Sequence, residues 1–313
     1  MSPVRESVCL APFCTLRTGG NADRFVRVHT MPDLIEAVNE GLASDQPMRV
    51  MGRGSNMLPA DEGVPGLVIL NSVQTMKFGE SGEVECSTGV DFQDLFLATA
   101  QRGLGGLEFA VGIPGSVGGA LVSNAGAYRS NVSEFLTELE ILDESGQRWV
   151  SPDWMGFSYR DSKLRQDLSL KAVVLKVRMK LPRREKAAIY NEARNYQRQR
   201  IGKQPPPASA GSFFKNVVNF ELAQSIEGLT EGMRTAGVIP SGFLIEAVGM
   251  KGYRHERCMF SKKHANFMLN TGGATSTAIY ELAQKAKSAV FEKFGVTLEE
   301  EVLYVGRWPH LSS

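Results

Sequence analysis

Short alternating runs of apolar and polar residues, separated by single amphipathic segments, dominate the first half of the chain. Residues 24–30 alternate as a strand does, and the apolar spacing after Pro32 and Asp33 predicts a helix from Leu34 to Leu42. Asp91 is in position to cap a helix that runs to Arg102. Further strands are predicted to end at Met51 and to span Gly66–Leu70, Glu83–Thr88, Glu138–Leu142, Arg148–Ser151 and Lys171–Leu181. This half is therefore predicted to be α+β and mostly strand.

A basic segment follows, and after it the pattern changes. Nine lysines and arginines occur between Arg178 and Lys203 against two glutamates, and residues 185–198 have helical character. Two interpretations stay open: a solvated helical connector, or a helix with one or two cations facing a phosphate. Prolines 205–207 break any helix here and mark a boundary.

The remainder of the chain is predicted to be a second α+β unit. Its expected elements are a helix near Phe220–Glu227, a mixed segment from Ala236 to Gly252, a near-strand at Asn266–Asn270, a helix capped by Thr275 or Ser276 and ending at Phe294, and a closing strand at Val296–Val305.

Composition excludes several classes of protein. The 313 residues carry a net charge of +1 with 22% charged residues, so no global field favours nucleic acid. No secretory signal or membrane span is expected, because no long apolar stretch follows residues 1–7 and no run of about 18 apolar residues occurs in the sequence. Four scattered cysteines indicate a reduced, cytoplasmic protein, and four histidines without helical pairing give no support for a metal site.

Glycine is concentrated in a way that neither a packed helix nor a strand favours. Eight glycines fall between Gly103 and Gly126, and the centre of the stretch reads Gly-Ile-Pro-Gly-Ser-Val-Gly-Gly over residues 112–119. A second cluster, Gly-Arg-Gly-Ser-Asn, spans residues 52–56. The spacing does not match the dinucleotide fingerprint Gly-x-Gly-x-x-Gly. Backbone amides without Cβ atoms can approach a pyrophosphate, so we predict one cofactor held by both loops, the alternative being loops that merely turn tightly.

Three short segments could carry chemistry. Residues 209–216 leave Ser212 accessible among small neighbours and add Lys215 and Asn216 as donors, although a serine in a plain turn is the alternative. Residues 158–162 flank Arg160 with Tyr159 and Asp161, as a carboxylate-binding arginine or as a surface ion pair. Three glutamates, 299–301, interrupt an otherwise apolar predicted strand. Alternation would put Glu299 and Glu301 on one face and Glu300 on the other, and the residues alone do not decide which face is functional.

Taken together, these strings resemble the bacterial UDP-N-acetylenolpyruvoylglucosamine reductase (MurB) family over nearly the whole chain, from about Thr15 to Gly306. The resemblance is carried by residues 15–20, 52–56, 112–119, 124–128, 159–162, 210–216, 263–267 and 298–302, in this order and spacing. No extra tyrosine-bearing loop fits between Tyr159 and Arg200, so the chain looks like the shorter second subtype of the family.

The resemblance implies an α+β fold in which a two-subdomain FAD-binding fold of the vanillyl-alcohol oxidase (PCMH) type precedes a C-terminal α+β substrate domain. The expected bounds are residues 1–182 for the FAD-binding domain (subdomains about 1–60 and 61–182), 183–204 for the basic linker and 205–313 for the substrate domain. It also implies a cytoplasmic flavoenzyme of peptidoglycan synthesis. The enzyme would use non-covalent FAD and NADPH to reduce the enolpyruvyl group of a UDP-sugar, and no nucleic acid, membrane or obligate protein partner is expected.

The same resemblance implies a role for each residue that occupies a functional position of the family motifs. Ser212 looks like the general acid, with Arg160 and Glu301 as the pair that stabilises the enol intermediate. Substrate contacts are expected from Tyr128, Asn216 and His264. Cofactor contacts are expected from Gly52, Gly54, Ser55, Asn56, Gly112, Ser116, Gly118, Gly119 and Arg200. No metal ligand is predicted.

The chain departs from the family pattern at residues 255–258, which read His-Glu-Arg-Cys, and at Lys262, where the family usually has glutamate. We expect this departure to affect either the packing of the substrate domain or its specificity. It leaves two other hypotheses: a different flavin oxidoreductase on the same fold, or an inactive protein that binds nucleotide sugars. Retention of Ser212, Arg160 and Glu301 together argues against the inactive protein, because binding alone needs no proton donor.

Overall fold

A computed structural model of the chain describes residues 3–205 and 208–309. The chain forms two units, each made of three stretches. Unit 1 consists of Met1–Cys9, Asn21–Gly54 and Val64–Gly202, and unit 2 of Leu10–Gly20, Ser55–Gly63 and Lys203–Ser313.

Strands and helices are numbered here in chain order. The strands are β1 (Arg5–Cys9), β2 (Asn21–Val28), β3 (Met48–Met51), β4 (Met57–Pro59), β5 (Val64–Asn71), β6 (Met76–Phe78), β7 (Glu83–Ser87), β8 (Gly126–Ala127), β9 (Ser130–Asn131), β10 (Leu136–Asp143), β11 (Gly146–Val150), β12 (Ala172–Lys180), β13 (Val217–Val218), β14 (Val238–Ile239), β15 (Arg254–His255), β16 (Cys258–Phe260), β17 (Met268–Asn270) and β18 (Leu303–Val305). The α-helices are α1 (Met31–Ala43), α2 (Phe92–Ala100), α3 (Val117–Val122), α4 (Lys163–Gln166), α5 (Lys186–Lys203), α6 (Phe220–Ser225), α7 (Glu231–Ala236), α8 (Ser241–Ala247) and α9 (Ser276–Phe294). Short 3-10 helices occupy Ala11–Phe13, Glu108–Ala110, Val132–Phe135 and Pro152–Met155.

Unit 1 contains a four-stranded sheet in the order β1-β2-β5-β3, in which β2 and β3 run parallel to β5 and β1 runs antiparallel to β2. Helix α1 connects β2 to β3 as the crossover that such parallel pairing requires. Thr30 caps α1 by accepting the Asp33 N–H at 3.2 Å, and the helix buries Leu34, Ala37 and Val38 at helical spacing. The strand predicted at 24–30 and the helix predicted after Pro32 are confirmed.

The second sheet of unit 1 is antiparallel, in the order β11-β10-β12-β7-β6. Asp91 caps α2 by accepting the Gln93 N–H at 3.0 Å, as predicted, although α2 ends at Ala100 rather than Arg102. The glycine-rich stretch and helix α5 both belong to this unit, and Ile189 and Ala193 of α5 are buried in its core.

Unit 2 is built around α9 and the parallel pair of β4 and β18. Thr275 caps α9 by accepting the Ala278 N–H at 3.0 Å, and Gly295 ends the helix with a φ of 68°. Leu16 and Leu58 are buried in the same core as the apolar face of α9, which is why residues 10–20 and 55–63 group with residues 203–313.

The predicted strand over 296–305 is wrong for most of its length, because only Leu303–Val305 forms a strand. Residues 299–301 instead bond through their backbones to residues 213–215. Prolines 206 and 207 of the predicted break lie outside the described residues, while α5 ends at Lys203, just before them.

Candidate active site

The two glycine loops touch each other inside unit 1. Gly52 directly follows β3, and Ser116 caps α3 by accepting the Gly119 N–H at 3.2 Å. A Cβ atom on residue 52 would lie 2.1 Å from Ser116 Oγ, which is far inside van der Waals contact. Glycine at position 52 is therefore what allows the loops to approach so closely.

Several backbone N–H groups of these loops have no acceptor within residues 3–205 and 208–309. They belong to Gly54, which is buried with a φ of 58°, and to the consecutive residues Gly115 and Ser116. Buried N–H groups are rarely left unpaired, so their arrangement fits an acceptor other than the chain itself.

Gly118 and Gly119 use their N–H groups internally. Gly118 donates to the carbonyl of Thr88 at 2.8 Å, and Gly119 donates to Ser116 Oγ. A Cβ on Gly118 would lie 3.1 Å from Thr88 Cβ. These two glycines hold the loop against its neighbour, and their N–H groups are not available to a ligand.

Arg200 of α5 reaches the same glycine stretch. Its Nη2 donates to the Phe109 carbonyl at 3.3 Å, and its guanidinium lies 5.6 Å from the centre of the Tyr128 ring. Its Nε is buried and has no acceptor among the described residues, and burial lowers the pKa of the group. Gly112, with a φ of 73°, leaves room for this side chain, since a Cβ there would lie 3.2 Å from Arg200 Cδ.

Tyr128 is fixed by a residue that the sequence did not single out. Its ring stacks on Tyr196 of α5 with centroids 3.8 Å apart and an interplanar angle of 6°, and its hydroxyl donates to the Tyr196 carbonyl at 3.1 Å. Burial, together with a hydrogen bond to Glu192, raises the pKa of Tyr196 to about 12. Tyr128 has a φ of 54°, a conformation that costs energy in a residue other than glycine and is common at functional sites.

Arg160 has the same unusual conformation, with a φ of 54°. It occupies a tight loop closed by the bridge between Ser158 and Asp161, and its Nη2 donates to the Gly126 carbonyl. The carbonyl of Ser158 accepts from Asn124 Nδ2 at 2.9 Å, which ties this loop to the stretch before Tyr128. Unit 1 thus brings Arg160, Tyr128 and Arg200 into one neighbourhood, where the charge of Arg160 contributes to lowering the pKa of Arg200.

Unit 2 assembles the other predicted residues around the segment 212–216. Ser212 pairs with Phe267 as an isolated bridge, and the Phe213 carbonyl accepts the Glu301 N–H at 2.8 Å. Asn56 Nδ2 donates to the Glu301 carbonyl at 3.0 Å. Asn56, Ser212 and Glu301 are therefore joined through adjoining backbone.

The three consecutive glutamates are held by different partners. Glu299 forms an ion pair with the buried Lys215, and Glu300 one with Lys287 at 2.9 Å. The Glu301 backbone N–H donates to the Phe213 carbonyl at 2.8 Å. Alternation along a strand does not describe the run, because these residues are not in a strand.

Unit 2 also contains one residue predicted to contact substrate, Asn216, and one predicted to contact the cofactor, Ser55. Asn216 is exposed, and its Oδ1 accepts the Ser241 N–H at 3.4 Å. The carbonyl of Ser55, predicted to contact the cofactor, accepts from Thr15 Oγ1 at 3.5 Å.

His264 is partly buried, and its ring has a defined tautomer. Its Nδ1 accepts the Asn266 N–H at 3.2 Å, so the neutral ring carries its hydrogen on Nε2 and acts there as a donor. Burial, with a smaller contribution from the charge of Lys203, lowers the pKa of His264. The ring is therefore neutral at pH 7.

One cluster with metal-ligand chemistry occurs among the described residues, although no metal site was predicted. His255, Glu256 and Glu281 place ligand atoms within 4.8 Å of one another. His255 Nε2 bonds to Glu281 at 2.7 Å, and its Nδ1 bonds to Lys285 Nζ at 2.9 Å. Lys285 can only donate, so Nδ1 accepts and Nε2–H donates to Glu281. Both ring nitrogens are therefore occupied, and these hydrogen bonds tie His255 of β15 to α9.

Comparison with known proteins gives consistent similarities. Residues 22–151 match the family model described as FAD binding domain, and residues 202–305 match that described as UDP-N-acetylenolpyruvoylglucosamine reductase, C-terminal domain. Among curated relatives, the UDP-N-acetylenolpyruvoylglucosamine reductase of Synechococcus sp. (strain JA-3-3Ab) is 35% identical over 306 residues, which cover 97% of this chain and 91% of the relative. That of Thermotoga maritima is 35% identical over 293 residues, covering 92% and 94%.

A solved structure is similar over the whole chain. The UDP-N-acetylenolpyruvylglucosamine reductase from Thermus caldophilus has a TM-score of 0.76 at 33% identity, covering 97% of this chain and all of that one. The predicted α+β class and FAD-binding fold are confirmed.

Proposed function

The chain belongs to the UDP-N-acetylenolpyruvoylglucosamine reductase family, and from this premise we propose how its residues divide the work of the reaction. The protein is an FAD- and NADPH-dependent oxidoreductase. It reduces the enolpyruvyl group of UDP-N-acetylglucosamine enolpyruvate to give UDP-N-acetylmuramate, a peptidoglycan precursor.

The residues of unit 1 fit FAD. Free N–H groups of Gly54, Gly115 and Ser116 are donors without an acceptor in the described chain, as a pyrophosphate requires. Arg200 adds a buried cation whose Nε is unpaired. An unpaired buried donor costs about 1–3 kcal/mol, and a bound acceptor would remove that cost. We assign these residues to the cofactor, with Gly52 and Gly112 as the positions that make room.

When bound, FAD supplies the redox chemistry, by accepting a hydride from NADPH and passing it to the enolpyruvyl double bond. The remaining work is proton transfer and control of charge, and the chain's own side chains must perform it. Hydride addition at one carbon builds enolate charge toward the substrate carboxylate, and the neighbouring carbon then needs a proton.

Ser212 is assigned the proton. Its backbone is held on one side by the bridge to Phe267, and the next residue, Phe213, accepts from Glu301. A serine hydroxyl is a weak acid, so its use depends on a developing negative charge close to the oxygen and on a fixed position.

Arg160 and Glu301 are assigned to the intermediate. The guanidinium of Arg160 can spread charge from the substrate carboxylate through two parallel hydrogen bonds. Glu301 assists only if it is protonated or hydrogen-bonded to the intermediate, because an ionised carboxylate would oppose the same charge.

Tyr128, Asn216 and His264 are assigned to substrate binding. His264 contributes as a neutral donor through Nε2–H, and Asn216 as an exposed amide. Residues 205–313 are proposed as the substrate domain, and residues 1–182 as the cofactor domain. Among the described residues, no helix is both long enough and apolar enough to cross a bilayer. We place the enzyme in the cytoplasm, acting on its two small substrates without nucleic acid or an obligate protein partner.

The observation that carries the cofactor assignment is the buried, unpaired Nε of Arg200 beside the glycine loops. The test is the visible spectrum of the purified protein after FAD soaking, followed by NADPH oxidation with and without the enolpyruvyl sugar. We expect a yellow protein with one FAD per chain and turnover only when both substrates are present. A colourless protein, or NADPH consumption that the sugar does not change, would refute the proposal.

A further inference from the structure

Asn266 is buried, with 3% of its surface exposed, and its side chain bonds to both backbone polar groups of one residue, Phe214, in the segment that contains Ser212. Its Oδ1 accepts the Phe214 N–H at 3.0 Å, and its Nδ2 donates to the Phe214 carbonyl at 2.8 Å. An uncharged amide is the side chain that can both accept and donate in this way. Asn266 therefore bonds to Phe214 as a neighbouring strand would.

The backbone of Asn266 makes two further bonds to the site. Its carbonyl accepts the Phe213 N–H at 2.8 Å, and its N–H donates to His264 Nδ1 at 3.2 Å. One buried residue thus restrains the peptide that follows Ser212 and also determines which nitrogen of His264 carries the hydrogen.

The opposite side of the segment is held differently. Glu301 N–H donates to the Phe213 carbonyl, and Lys215 N–H donates to the Glu299 carbonyl, both at 2.8 Å. These bonds are backbone to backbone and survive most substitutions. The Ser241 hydroxyl also donates to the Lys215 carbonyl, three residues after Ser212. The Asn266 side chain bonds closer to Ser212, at Phe214, so a substitution of Asn266 can shift Ser212 without removing it.

We propose that Asn266 is a positioning residue for the proton transfer assigned to Ser212. The proposal rests on the function given above. A displacement of about 1 Å in a reacting group can cost about 10²-fold in rate. Asn266→Leu keeps the approximate shape of the side chain but leaves both polar groups of Phe214 without their partner.

The two half-reactions, followed separately by stopped-flow absorbance of the flavin, test this proposal. In Asn266→Leu we expect flavin reduction by NADPH to stay within about twofold of wild type and reoxidation by the enolpyruvyl sugar to slow by about 10–100-fold. Asn266→Asp, which retains an acceptor for the Phe214 N–H and loses the donor, serves the same purpose if the leucine variant does not fold.

The matched control is Asn270→Leu. Asn270 lies on β17 of the same unit and also makes side-chain bonds to backbone, donating to the Leu16 carbonyl at 2.8 Å and accepting the Gly272 N–H at 2.9 Å. It does not bond to residues 212–216. We expect it to lower stability and to leave both half-reactions within about threefold of wild type.

A double-mutant cycle separates positioning from a general loss of structure. If Asn266 acts through Ser212, Asn266→Leu should cost less than about threefold in reoxidation when Ser212→Ala is already present. Additive losses, or a folded Asn266 variant with wild-type reoxidation, would overturn the inference. Wild-type protein that the sugar does not reoxidise would instead overturn the proposed function, and the inference with it.

Discussion

Substituting Gly52 by alanine tests whether contact between the two glycine loops creates the cofactor site. The added Cβ would lie 2.1 Å from Ser116 Oγ and 2.9 Å from Ser116 Cβ. Ser116 is 3% exposed, so its side chain has little space into which to move. Rotation of the Ser116 hydroxyl relieves the contact with Oγ, but the contact with Cβ is relieved only if the backbones of the two loops also move apart.

The cost can be worked out from the contacts that are lost. Rotating Ser116 breaks its cap on the Gly119 N–H, and loss of such a cap costs about 1 kcal/mol. A side chain forced off its rotamer costs about 0.5–1.5 kcal/mol more. A total of about 2 kcal/mol would lower Tm by roughly 4–8 °C for a unit of this size. Separation of the loops would also lower the affinity for FAD, by tenfold for every loss of about 1.4 kcal/mol in binding free energy.

The assay is thermal unfolding of the FAD-free protein together with titration of FAD by fluorescence. Gly202→Ala is the control, because a Cβ there meets nothing within 4 Å and alanine favours the helix α5. Adding Ser116→Gly to Gly52→Ala should recover part of the loss. Wild-type Tm and FAD affinity in Gly52→Ala would show that the loops are not held by this contact.

Three further predictions concern single side chains. In stopped-flow measurements, Ser212→Ala should leave flavin reduction by NADPH nearly intact and slow reoxidation by the sugar by about 10²–10⁴-fold. Ser212→Cys should keep partial activity. Equal slowing of both half-reactions would mean that Ser212 only shapes the pocket. Arg200→Ala should weaken FAD or substrate binding more than it lowers Tm, and unchanged affinities in titration would show that Arg200 contacts neither ligand. Because the pKa of His264 is lowered by folding, the unfolded chain binds more protons between that lowered value and about 6.5, so stability should rise with pH across this window and level off above it. His264→Gln should flatten the dependence of Tm on pH there, and an unchanged slope would refute the assignment.

Local signals in the sequence were sufficient for the elements that depend on local physics. Thr275 and Gly295 bound α9 because capping uses residues within one turn of the helix end. Asp91 does the same for α2. The glycine clusters predicted a bound cofactor, and FAD as the cofactor is confirmed; that these two loops hold it stays a prediction.

Features that depend on residues far apart in the chain could not be predicted. Alternation over residues 298–302 indicated a strand, but backbone bonds from residues 213–215 determine the conformation there. Tyr196 looked like one more residue of a polar helix, and only the fold stacks it on Tyr128. The motif at residues 263–267 assigns no role to Asn266, since its two bonds to Phe214 exist only when both segments are in place.

Pairing of β4 with β18 sets a condition on how the protein is made. The bond from Asn56 to Glu301 joins residues 245 apart, and β4 has its parallel partner only once Leu303–Val305 exist. At about 5–20 residues per second, a ribosome needs roughly 12–50 s to travel that distance. During this time Leu58, fully buried in the finished protein, has no final place. A nascent chain that ends before Leu303 should therefore expose an unpaired strand, and we expect such a chain to bind chaperones or to aggregate.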